Sequence, residues 1–146
     1  MKTNKNISLL LVAVLSIVTF YGCVKDLTHT LYNGPDLIEF APVSKTVTTV
    51  TGSVKLDSAV IQLVGPQRST PTNVTFSVNG NSKAIAGVDY TILTTSPVAI
   101  PANSSSVSVY INFNKVSSAR TLILDLQGGD NVTISQNYKN FTFNIR

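Results

Sequence analysis

The sequence contains no tryptophan, one cysteine and one histidine in 146 residues, and only 12% of it is charged. Each shortage excludes something. A lone histidine, His29, cannot supply the three or four converging donors that a tight metal site needs, and it stands outside the strand-rich part of the chain, so histidine-dependent catalysis has nothing to work with. A lone cysteine, Cys23, can form no internal disulfide, so the fold must stand on packing. Without tryptophan, any aromatic platform for a sugar has to be a tyrosine or phenylalanine. Lysine and arginine nowhere form a basic run of the kind that tracks nucleic acid. The acidic residues, Glu39 and a few aspartates in the strand-rich region, show no recognisable pairing of the kind glycosidases use. These gaps leave no enzyme constellation, no cofactor and no metal site, and they argue for a binding or scaffolding role.

What is present is a 43% hydrophobic content that suits a globular chain rather than a disordered one, and a length for which one domain is the prior. Residues 1–6 carry Lys2 and Lys5, and residues 7–20 (ISLLLVAVLSIVTF) form an uncharged apolar run. That run is shorter than the roughly 20 residues of a spanning helix and reads as a signal peptide. Gly22-Cys23 closes it, the junction at which a lipoprotein signal peptidase cuts after a diacylglycerol is attached to the thiol. Phe20 and Tyr21 replace the usual Leu and small residue of such a box. An ordinary signal peptide and an uncleaved anchor are the alternatives, the first lacking a good small-x-small site nearby. Cleavage before Cys23 would take 22 residues from 146, leaving 124, and would remove Lys2 and Lys5, lowering the formal charge from +4 to +2. Val24 stands where an aspartate would resemble an inner-membrane retention signal, so the expected address is the outer membrane, with the protein held by its N-terminal lipid. Residues 23–36 have no clear period and end in Asn-Gly-Pro-Asp, a tether ahead of a domain spanning 37–146.

Beyond residue 36 the pattern is β throughout. Ile38 and Phe40 share one side of a short first strand; residues 46–56 are rich in β-branched side chains with a break at Gly52; residues 58–64 make another strand. Val74, Phe76 and Val78 alternate with Asn73, Thr75 and Ser77. From 107 to 113, Val107, Val109, Ile111 and Phe113 face one way while Ser106, Ser108, Tyr110 and Asn112 face the other, the clearest period-two signal in the chain. Leu122, Leu124 and Leu126, then Phe141, Phe143 and Ile145, repeat it, with Gly128-Gly129-Asp130-Asn131 expected to reverse the chain between them. About seven short strands, with no helical period after Phe20, predict an all-β, immunoglobulin-like antiparallel sandwich.

Gly87, Asp89-Tyr90-Thr91, residues 98–101 and the alternating strand after them resemble the motif of Calx-beta-like domains, more loosely over residues 37–146. Similar modules of unassigned role occur in surface lipoproteins of Gram-negative gut anaerobes, which implies an envelope setting beside glycan-utilisation machinery. The resemblance also raises calcium, because members that bind it cluster carboxylates at one end of the sandwich. Asp89 matches the family's Asp-Tyr position, but residues 114–120 (NKVSSAR) hold two cations and no acid where an acidic loop belongs. A hard divalent ion wants six to eight oxygens, several anionic, so Asp89 is expected to bond turn amides instead. For a ligand, the best candidate is Tyr110, the largest side chain on the polar face of the clearest strand, bordered by Ser108 and Asn112. The bland alternative is that Tyr110 only covers a cross-strand neighbour. The partner so implied is a glycan or, alternatively, an envelope protein docked on the sheet.

Overall fold

The computed structural model describes residues 33–146. The expected signal peptide, Cys23, His29 and most of the expected tether lie outside the described residues. Ten strands follow in order: β1 Leu37–Phe40, β2 Ser44–Val47, β3 Lys55–Val64, β4 Thr72–Val78, β5 Tyr90–Ile92, β6 Val98–Ile100, β7 Ser106–Phe113, β8 Arg120–Gly129, β9 Thr133–Ile134 and β10 Asn140–Ile145. They form two five-stranded sheets, β5-β7-β3-β1-β9 and β2-β10-β8-β4-β6. This is the expected sandwich, with its buried face drawn by the period-two pattern. Val109, Ile111 and Phe113 of β7 are buried with Ala59, Ile61 and Leu63 of β3, and across from them lie Leu122, Leu124 and Leu126 of β8 with Phe141, Phe143 and Ile145 of β10.

Four phenylalanines tie the two sheets together. Phe40 of β1 meets Phe141 edge-on at 5.6 Å between ring centroids, Phe113 of β7 meets Phe143 at 4.9 Å, and Phe141 and Phe143 stand 4.6 Å apart. All four are essentially sealed from water, and each contributes about 1.5–3 kcal/mol by its burial. The described buried core lies wholly between Ile38 and Ile145. Residues 33–146 are therefore a unit with a core of their own.

Several expectations need correction. There are ten strands rather than about seven, because β2, β5, β6 and β9 are two to four residues long. The break expected at Gly52 within residues 46–56 is a turn (φ 80°), and it separates two elements, β2 in one sheet and β3 in the other. The sandwich is not wholly antiparallel: β2 runs parallel to β10, and β9 parallel to β1, in both cases at a sheet edge. The reversal falls within the stretch expected to make it, but in its second half, Asp130-Asn131, and not at Gly128-Gly129. Both residues extend β8, and a register shift between Thr75 and Phe76 of β4 accommodates them. At Gly129 a side chain could not fit, since a Cβ there would stand 2.9 Å from the carbonyl oxygen of Asn73. The reversal comes at Asn131, in the left-handed region at φ 53°. Val78, expected in the core, is 38% exposed at the end of β4.

Candidate functional site

Two places on the sandwich concentrate functional chemistry. The first is the outer face of β7. The strand is flanked by β3 and β5, so its outward side chains sit mid-sheet rather than on an edge. Tyr110 lies opposite Ser58 of β3; Ser108 lies opposite Val60, and Asn112 opposite Leu56. On the other side the Tyr110 N–H donates to Thr94 Oγ1 at 2.9 Å, and its carbonyl accepts the Leu93 N–H at 2.9 Å. The Tyr110 main chain is thereby fixed while its side chain remains 49% exposed. Ser108 and Asn112 share its face as expected but are only partly exposed.

Beside this trio stand two residues that the pattern alone did not mark, Leu56 and Leu93, both more than half exposed. Leu56 would have been found by carrying the alternation of β3 back to Lys55. Leu93 belongs to no regular pattern, and only the hydrogen bond to Tyr110 places it there. The result is a surface with a tyrosine ring, two leucines and a border of hydroxyl and amide groups. An amphipathic ring in such a setting can pack against an apolar face while neighbours exchange hydrogen bonds with its rim. Tyr138 is also exposed, in the loop ahead of β10, where its carbonyl accepts the Phe40 N–H of β1.

The second place is the end of the sandwich where β5 and β8 begin. Gly87 takes φ 77°, a conformation that favours glycine, and its N–H donates to the Tyr90 carbonyl. The turn it makes brings Asp89 back onto the chain, where Oδ2 accepts the Ile85 N–H at 2.8 Å. Asp89 thus bonds a turn amide, as its position implied. It is also buried, and Nε of Arg120 stands 3.9 Å from the same oxygen. The following tyrosine, Tyr90, is buried as well, and desolvation raises its pKa above the ordinary 10.0, so its hydroxyl stays neutral at physiological pH.

The loop after β7 closes this end. Asn114 donates from its main-chain N–H to the Asp89 carbonyl at 2.9 Å and from its side chain to the Val88 carbonyl at 2.7 Å. Val116 is buried, and its N–H donates to Thr49 Oγ1. Alongside lies a cavity of about 240 Å³ whose polar and charged lining comprises Lys83, Arg120, Arg146, Thr46, Thr121 and Asn144. These residues are far apart in sequence, and no spacing announced them.

The aspartates of the described residues have partners within the chain. Asp36 pairs with Arg68 at 2.7 Å, and Asp57 with Lys45. Asp125 accepts from the side-chain amides of Asn79, at 2.6 Å, and of Asn140. Asp130 accepts from both the main chain and the side chain of Asn73. Among the described residues no three of His, Cys, Asp and Glu come together as a metal-binding group.

No family model matches the sequence, and no curated protein matches it. Solved structures do. The CBD1 domain of Calx in its apo form superposes with a TM-score of 0.61 at 15% identity, over 77% of this chain and 96% of that one. The Calx CBD2 domain gives 0.60 at 11%, over 75% and 85%. The calcium binding domain CBD12 of CALX1.1 gives 0.59 at 16%, over 75% of this chain and 44% of that one. At these identities the likeness is one of fold: the chain carries a Calx-beta-like β-sandwich.

Proposed function

We propose that this protein is a lipid-anchored module of the cell envelope, lipidated at Cys23, that binds a glycan on the outer face of β7. The observation that carries the reading is the half-exposed Tyr110 ring held mid-sheet between Ser58 and Leu93, with Ser108 and Asn112 on the same face. A sugar offers an apolar ring face and a rim of hydroxyls. Tyr110 supplies a plane for the first, and the serine and asparagine side chains supply donors and acceptors for the second. The role is binding rather than catalysis, since Asp89, the carboxylate at the second place, is engaged by Ile85 and Arg120. Signal peptide, tether and outer-membrane address rest on residues 1–36 of the sequence.

A second reading, a docking subunit that seats a protein on the same sheet, is favoured by Leu56 and Leu93, whose exposed side chains suit an apolar contact better than a sugar rim. Glycan binding by the wild type and by Tyr110→Ala, with the melting temperature measured on both, separates the two.

A further inference from the structure

We infer that the cavity at the end of the sandwich, between Lys83, Arg120 and Arg146, is a binding site for a small oxyanion, free or carried on a sugar. Three cations line it and no acidic residue does. The salt bridges among the described residues are Lys45–Asp57, Arg68–Asp36 and Arg120–Asp89, so Lys83 and Arg146 have no ionic partner there. Arg120 is only partly answered: its Nε is buried and makes no hydrogen bond, because the Asp89 oxygen at 3.9 Å is beyond reach of one. Like charges gathered on one concave surface repel one another and focus a positive potential into it. A carboxylate, sulfate or phosphate group relieves that repulsion and accepts from guanidinium and ammonium donors in charge-assisted bonds.

The rest of the lining mixes polar and apolar side chains. Thr46, Thr121 and Asn144 add neutral hydrogen-bonding side chains, and Ala119 and Ile145 add apolar ones. The volume, about 240 Å³, lies below the roughly 300–1,000 Å³ typical of drug-sized sites and suits a small charged group. The frame is rigid. Arg120 lies opposite Ile145 and Thr121 opposite Asn144 in the β8–β10 ladder, while the Lys83 and Ala84 N–H groups both donate to the Thr121 carbonyl. Arg146 is pinned by its N–H to the Val47 carbonyl, and its main-chain oxygen accepts from Thr49. The strands that line it, β2, β8 and β10, belong to the other sheet from Tyr110, and the site does not depend on what binds there.

The test is an amide chemical-shift titration of residues 33–146 with sulfate, with glucuronate, and with glucose and chloride as controls, the salts at matched ionic strength. Saturable shifts at Thr46, Lys83, Thr121 and Asn144 with either oxyanion, absent with glucose and chloride, are expected. A Lys83→Gln, Arg146→Gln double variant, which leaves Arg120 and Asp89 in place, should weaken the binding at least tenfold. Saturation by sulfate alone identifies a free inorganic ion, and saturation by glucuronate a sugar acid. Shifts that grow linearly, that chloride reproduces, or that persist unchanged in the double variant overturn the site.

Discussion

Asp89 and Arg120 are paired without being hydrogen-bonded: the guanidinium Nε stands 3.9 Å from the carboxylate Oδ2, and it is the Ile85 N–H, at 2.8 Å, that occupies that oxygen. A carboxylate committed to a turn amide and faced by an arginine is poorly placed to ligate a cation. In the resemblance, calcium requires a cluster of acids at this end, and here Asp89 is met by a cation instead.

The first prediction follows from that pair. Asp89→Ala leaves a turn N–H without its acceptor at a buried position and takes the counter-charge from a partly exposed Arg120, which costs about 1–3 kcal/mol. Calcium should not stabilise the protein. A site filled to a hundred times its dissociation constant would add about 2.7 kcal/mol, so a melting midpoint that is the same in chelator and in millimolar calcium is expected. A rise of many degrees would refute this account of Asp89.

In the core, Phe143 touches both Phe113 and Phe141, and Phe143→Ala should cost about 3–5 kcal/mol. Thr142→Ala, one residue away and not buried in the core, should change stability by less than about 0.5 kcal/mol. Chemical denaturation of the two variants checks the inward and outward alternation of β10 directly.

The anchor gives a third expectation. Cys23→Ser should abolish labelling by a fatty-acid probe and move the protein from the detergent phase into the aqueous phase, because a stable membrane hold of this kind depends on the acyl chains. Undiminished labelling would remove the lipoprotein reading and with it the envelope address.

Much of the fold was legible in the sequence because a sheet buried on one face writes its pattern every second residue. Val109, Ile111 and Phe113, the leucines of β8 and the phenylalanines of β10 were all readable in that way. Strands of three or four residues show a period poorly, so β2 and β6 were not separated from the segments around them, whereas the short β9 lies within residues 132–135, which read as a short strand or extended piece. Parallel pairing at the edges has no local signature at all, since β2 meets β10 only after nearly a hundred residues of chain. Gly128-Gly129 read as a turn because glycine pairs usually are one, whereas here the pair extends a long strand opposite a register shift. Tyr110 was legible as the outward residue of the clearest strand. Its apolar neighbour Leu93 and the cavity of Lys83, Arg120 and Arg146 were not, because contacts between distant segments assemble both.

The central claim is that Tyr110 is a ligand-binding side chain rather than a cover for its cross-strand neighbours. The most direct measurement is a glycan array followed by titration of the best ligand into wild type and Tyr110→Ala, with thermal melts alongside. Wild type should bind, and Tyr110→Ala should lose at least tenfold in affinity, which is about 1.4 kcal/mol, while its stability falls by no more than about 1 kcal/mol. Equal glycan binding by the two proteins, or none by either, would contradict the claim.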